Sequence, residues 1–200
     1  MSETSSWKLK DTILIGMVDI AFAVVYLGAV YLGIFLSALL TPLGLAPLAN
    51  EPICGIWFMA ATFIAFILRK PGVALVTEML AALVEVLLGS FYGPLVFVDG
   101  FIQGLGAEAV FAAKRYKNYS LRVMCLAGLA SAILSFIWEL YRSGILKLDL
   151  KFILVMFPIR AISGVFFAGF ICYKLALMLK NAGVFKAFEG NSGNSGLIKQ

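Results

Sequence analysis

Long uninterrupted apolar runs constrain this chain more than any other feature of its sequence. Residues 13–40 contain a single charged side chain, that of Asp19, in 28 positions. A helix needs roughly 20 apolar residues to cross a bilayer core about 30 Å thick, so this run is long enough to span. Further runs occupy residues 52–68, 72–88, 95–113, 121–142 and 152–179. Together they predict six transmembrane helices.

Composition and patterning agree on an all-α membrane bundle. Hydrophobic residues make up 62% of the chain and charged residues 14%, whereas soluble domains are about half apolar and a quarter charged. The runs lack the alternation of a membrane β-barrel, and helices are the other backbone form that satisfies its own hydrogen bonds in lipid. We expect one domain over residues 1–188, followed by a polar, flexible tail over residues 189–200.

The first run differs from a cleaved signal peptide because it far exceeds the usual 7–15 apolar residues. As a helix it would measure about 42 Å, so it must tilt or project beyond the membrane. The alternative is a break near Gly28 or Gly33 that divides it into two shorter pieces.

The distribution of basic residues predicts orientation. Placing the N-terminus inside puts 12 of the 16 Lys and Arg residues on the cytoplasmic side, as the positive-inside rule requires. Arg142, Lys147 and Lys151 then fall outside, and Arg160 lies within a span. We therefore predict both termini in the cytoplasm, and the basic balance gives no reason to invoke nucleic acid.

Several kinds of chemistry lack their residues in this chain. There is no histidine, and the three cysteines lie within apolar runs without metal-ligand spacing. No GxxxxGK[ST] phosphate-binding loop occurs. We predict a protein that is not an enzyme and has no metal or cofactor of its own.

Charged residues within spans are costly and are therefore candidate functional residues. Six are acids and one is a base: Asp19, Glu78, Glu85, Asp99, Glu108, Glu139 and Arg160. The predicted orientation places most of them in the outer half of the membrane, while Asp19 and Glu108 lie on the inner side. This excess of acids predicts an outward-facing cavity for a small cationic or hydrogen-bonding ligand.

Each candidate also has a structural interpretation. The aromatic residues Trp57, Trp138, Tyr92 and Tyr141 are typical of an interfacial belt. Arg160 could pair internally with Glu139 or Glu85, and Glu78 could be protonated and hydrogen-bonded to a neighbouring helix. Small residues four apart, as at Gly100 and Gly104, favour close helix packing or a partner's docking.

The connection over residues 41–51 is unusually apolar for an external loop. It carries Pro42, Gly44 and Pro47 among several leucines, and Pro52 follows. Such a segment could be a lid over the mouth of the cavity or simply re-entrant packing.

Three stretches resemble the YkoE family of substrate-binding subunits (S components) of energy-coupling factor (ECF) transporters. They are WKLKD at 7–11, the segment 56–90 with its RKPG turn, and GFIQGLGAEAVFAAKRY at 100–116. The resemblance implies an S-component bundle in a prokaryotic plasma membrane, with the loop between the first two helices as lid. It also implies capture of thiamin or its hydroxymethylpyrimidine precursor near the outer face, with a transmembrane coupling subunit and two ATPases as partners.

Thiamin suits the predicted cavity because its thiazolium is a fixed cation and its aminopyrimidine donates hydrogen bonds. The ligand without the thiazolium should accordingly bind less tightly. The predicted binding residues are Trp57, Glu78, Glu85, Tyr92, Asp99, Gln103, Trp138, Glu139 and Glu51. Alternatives are a hydroxymethylpyrimidine-specific subunit, a proton-coupled carrier that acts alone, and a membrane enzyme built on an acid pair.

Overall fold

The computed structural model describes residues 7–90, 92–147 and 149–185. This part of the chain consists of helices joined by short connections and contains no strand. Its α-helices are α1 (Leu9–Leu40), α2 (Met59–Leu68), α3 (Val73–Leu87), α4 (Val96–Ala113), α5 (Leu121–Arg142), α6 (Leu150–Gly164) and α7 (Cys172–Asn181). The predicted all-α class is confirmed. The tail predicted over residues 189–200 lies outside the described residues.

These elements form six helical units. α1 is continuous over 32 residues, so the alternative break near Gly28 or Gly33 is wrong. Within the described ranges, five helical segments are long and apolar enough to cross a membrane. The sixth unit, α3, has 15 residues and a length of about 22 Å, shorter than the bilayer core.

The second unit begins differently from the predicted helix. Residues Glu51–Phe58 form a 3-10 helix, and α-helix starts only at Met59. The Ser163 hydroxyl accepts a hydrogen bond from the Gly55 amide at 2.8 Å and donates one to the Pro52 carbonyl at 2.8 Å. Because this side chain replaces part of the backbone ladder, the segment winds more tightly than an α-helix.

The last unit is a single rod in which a π-helix, Val165–Ile171, joins α6 to α7. Small residues set its distance from α5. A β-carbon on Gly164 would lie only 2.6 Å from the Gly128 carbonyl oxygen. The two backbones therefore approach as closely as small residues allow, as the four-residue spacing predicts.

The helices surround a cavity at one end of the bundle. α3 packs against α1 and α4, α4 packs against α5, and α5 packs against α6 and the π-helix. The apolar core lies at the other end, where residues such as Phe63, Phe66 and Phe111 are buried. The polar residues of the spans therefore concentrate above this core.

Candidate ligand-binding site

One cavity collects five of the seven charged residues singled out within the predicted spans. It encloses about 690 Å³ when the space at its open mouth is counted. Eight of the nine predicted binding residues line it: Trp57, Glu78, Glu85, Tyr92, Asp99, Gln103, Trp138 and Glu139. The ninth, Glu51, does not.

Glu78 joins three helices at the cavity wall. The Tyr26 hydroxyl of α1 donates to its Oε1 at 2.9 Å, and the Ala61 amide of α2 donates to its Oε2 at 2.9 Å. The carboxyl group is almost fully buried. Both oxygens are therefore occupied, which agrees with the structural interpretation of this residue.

Glu85 is buried like Glu78 but has spare hydrogen-bonding capacity. Its Oε1 accepts a hydrogen bond from the Ser90 hydroxyl at 2.6 Å. Its Oε2 has no hydrogen bond of good geometry within the described part of the chain, although the Trp57 side chain lies close enough to interact with the carboxyl group. Trp57 and Tyr92 line the same cavity and pack edge to face, with ring centroids 6.4 Å apart. This combination offers a free carboxylate oxygen in the same cavity as an aromatic pair.

Asp99 is held from α5. The Trp138 indole donates to its Oδ1 at 2.6 Å, and the Nε of Arg142 lies 3.4 Å from the same oxygen. Gln103, one turn further along α4, accepts a hydrogen bond from the Ser131 hydroxyl through its backbone carbonyl, at 2.7 Å. Its side chain is left to line the cavity.

Arg160 organises a buried ion cluster beside the cavity. Its Nε and Nη2 each donate to one oxygen of Glu51 at 2.7 Å, and Nη2 lies 2.6 Å from Glu139 Oε2. The predicted pairing with Glu139 is confirmed, whereas the other partner is Glu51 and not Glu85. This bidentate pair explains why Glu51 lies outside the main cavity and lines a second one nearer the loop over residues 41–51.

The structure adds residues that the sequence did not single out for binding. They are Tyr26, Asn50, Cys54, Ala82, Val96, Ser135, Arg142 and Arg160. Asn50 donates to the Tyr92 hydroxyl at 3.2 Å and lines both cavities. The sequence predicts Arg142 outside the membrane, because it ends the apolar run over residues 121–142. With both arginines included, the cavity walls carry four carboxylates and two guanidinium groups, a smaller excess of acids than six to one.

The two acids predicted to lie on the inner side, Asp19 and Glu108, are outside this cavity. Glu108 accepts hydrogen bonds from the amides of Gly72 and Ala74, at 2.6 and 3.1 Å, and from the Tyr116 hydroxyl at 2.7 Å. Burial and this bond raise the pKa of Tyr116 to about 12. Neither oxygen of the buried Asp19 has a hydrogen-bond partner among the described residues. Neither acid lines the main cavity, as their predicted depth suggested.

Comparison with known proteins identifies this arrangement. Residues 10–134 match the family model described as an ABC-type cobalt transport system, permease component. A Bacillus subtilis (strain 168) protein that carries the name HMP/thiamine permease protein YkoE is 46% identical over 179 residues, which cover 90% of this chain and 87% of that protein.

A solved structure described as an S-component of an ECF transporter is also similar. It has a TM-score of 0.85 and 45% sequence identity, and the match covers 91% of this chain and 90% of that one. The fold and these comparisons together define a subunit of a membrane transport system. The chain belongs to the YkoE family and is an S component of an ECF transporter, and the resemblance in its sequence is confirmed.

Proposed function

We propose that this S component captures thiamin, or its hydroxymethylpyrimidine precursor, in the main cavity from the outer side of the membrane. The observation that carries the proposal is the free Oε2 of Glu85 in a cavity that Trp57 and Tyr92 also line. An aminopyrimidine supplies both an N–H donor for a carboxylate and a flat ring for aromatic contact. The printed name of the Bacillus subtilis relative, HMP/thiamine permease, supports the same ligands.

The thiazolium of thiamin needs a negative environment in addition. Asp99 and Glu139 line the cavity together with the rings of Trp57 and Trp138. Carboxylates and indole faces both attract a cation, the latter by about 2 kcal/mol when water is excluded. In this proposal the aminopyrimidine contacts Glu85, and the thiazolium lies on the side of Asp99.

Release into the cytoplasm would then need partner subunits. The chain has no phosphate-binding loop for ATP, so in this proposal a transmembrane coupling subunit and two ATPases supply the energy. The excess of basic residues in the loops predicted to be internal favours both termini in the cytoplasm.

Calorimetric titration of the detergent-purified full chain tests the proposal. We expect thiamin and hydroxymethylpyrimidine both to bind, thiamin more tightly. Trp57→Ala should weaken thiamin binding at least tenfold, or about 1.4 kcal/mol. Trp7→Ala is the matched control, because Trp7 is bonded to the Pro71 carbonyl outside the cavity. If neither thiamin nor hydroxymethylpyrimidine binds, the proposed function is wrong.

A proton-coupled carrier that acts alone is the second candidate, because Glu85 is a buried acid with an unpartnered oxygen on the cavity wall. Proteoliposomes that contain only this chain separate the two. Thiamin uptake driven by a pH gradient would favour the carrier, and binding without uptake would favour the S component.

A further inference from the structure

Arg142 lies beside Asp99, on the side of the cavity where the proposed function places the thiazolium. It is the last residue of α5 and lines the main cavity. Its Nε lies 3.4 Å from Asp99 Oδ1, and that nitrogen is buried without a hydrogen-bond partner in the described part of the chain. Its positive charge thus faces an acid of the cavity without being fixed by a strong hydrogen bond.

The other arginine of the cavity differs in this respect. The Arg160 guanidinium makes contacts of 2.6–2.7 Å with two carboxylates, Glu51 and Glu139. Two acids therefore neutralise that one base. Arg142 shares a single acid, Asp99, and Asp99 Oδ1 also accepts the shorter bond from Trp138. The charge of Arg142 is consequently the less compensated of the two.

We propose that Arg142 is a specificity-determining residue: it acts as an internal counter-ion of Asp99 and limits the preference of the cavity for cationic over neutral ligands. The proposal deepens the proposed function and rests on it. With Arg142 in place, Asp99 remains neutralised when an uncharged pyrimidine binds. A thiazolium must share Asp99 with the guanidinium, and the two positive charges repel each other.

The size of this repulsion follows from Coulomb's law. Two unit charges about 8 Å apart, at an effective dielectric constant of about 20, change an affinity by roughly tenfold or more. A neutral pyrimidine lacks this interaction. Removal of the charge should therefore raise the ratio of thiamin affinity to hydroxymethylpyrimidine affinity by about tenfold, mainly through thiamin.

The experiment measures this ratio by calorimetry on the full chain in detergent at pH 8, where the aminopyrimidine is uncharged. The variants are Arg142→Gln, Arg142→Leu and Arg142→Lys. Gln and Leu should raise the ratio, whereas Lys, which keeps the charge, should leave it near the wild-type value. Arg122→Gln, on the first turn of the same helix and outside the cavity, is the matched control and should leave the ratio unchanged.

The outcomes separate the two proposals. If the wild-type chain binds both ligands and neither charge-removing variant alters the ratio, the role of Arg142 is wrong and the proposed function stands. The same holds if Lys raises the ratio as much as Gln does. If the wild-type chain binds neither ligand, the proposed function itself fails. Because both Arg142→Gln and Arg142→Leu remove the charge, the test can still be carried out if one of the two variants does not fold.

Discussion

Glu85 and Glu108 are both buried glutamates in membrane helices, yet their surroundings differ. Glu108, near the C-terminal end of α4, accepts three hydrogen bonds, two of them from the amides that begin α3. Glu85, near the C-terminal end of α3, accepts one from Ser90, and its second oxygen has no hydrogen bond of good geometry among the described residues. The first carboxylate is fully used by the fold, whereas the second has capacity left for a ligand.

The difference teaches that a charge within a span does not by itself indicate a binding site. A buried polar group without partners costs about 1–3 kcal/mol, and more if charged. Glu108 avoids that cost through the fold. Glu85 would avoid it when a donor enters the cavity, which is the arrangement expected of a binding residue.

The largest effect should come from breaking the satisfied ion cluster. Arg160→Leu leaves Glu51 and Glu139 buried or half-buried without their partner, and removal of one member of a buried pair costs about 3–5 kcal/mol. We expect a clear drop in the unfolding midpoint in detergent. Arg122→Leu is the control on α5, and an equal midpoint for the two variants would contradict the account.

A smaller loss of stability is expected at Glu108. Glu108→Leu removes the acceptor of the Gly72 and Ala74 amides and of Tyr116, at a cost of about 2–3 kcal/mol. The affinity for thiamin should stay within twofold of wild type. Thermal unfolding and calorimetry on the same sample measure both quantities. A binding loss above tenfold in folded protein would remove the distinction between the two glutamates.

Glu85→Gln should have the opposite pattern. The substitution removes a negative acceptor from the cavity wall, and we expect thiamin affinity to fall at least tenfold, or about 1.4 kcal/mol. The unfolding midpoint should change less than in Glu108→Leu, because Gln can still accept the Ser90 bond and the interaction with Trp57 through its amide oxygen. Unchanged affinity in calorimetry would exclude Glu85 from the site.

The smallest effect is expected at the ion pair between Lys70 and Asp11, whose N–O distance is 2.6 Å. The pair is largely buried, but Asp11 Oδ2 keeps the Lys8 amide as a second donor, so we expect a cost of about 1 kcal/mol. Lys70→Met should lower the unfolding midpoint slightly and leave thiamin binding unchanged. A binding defect as large as that of Glu85→Gln would show that this pair and the cavity, at opposite ends of the bundle, are coupled.

The sequence predicted the helical class and eight of the residues that line the cavity, because each rests on a local rule. Apolar length predicts a span, and a charge within a span predicts a polar interior. Glu51 was predicted to line the main cavity, but it pairs with Arg160, which is 109 positions away in the sequence. No rule of local spacing predicts that contact. Likewise, the 3-10 winding of Glu51–Phe58 depends on the Ser163 hydroxyl of another helix.

Arg142 shows a different limit. Counting charges assigned it to the outside, because it is the last residue of α5. A long side chain at a helix end can still reach back toward the interior, and here it lies beside Asp99. The net charge of the cavity therefore could not be predicted from the sequence alone.

The most direct test asks whether Glu85 contacts the amino group of the pyrimidine. Hydroxymethylpyrimidine and its analogue without the amino group would be titrated against wild type and Glu85→Gln, which forms a double cycle of ligand and residue. We expect loss of the amino group to weaken binding at least tenfold in wild type and far less in the variant. An equal loss in both proteins would contradict a Glu85–amino contact and, with it, the proposed site.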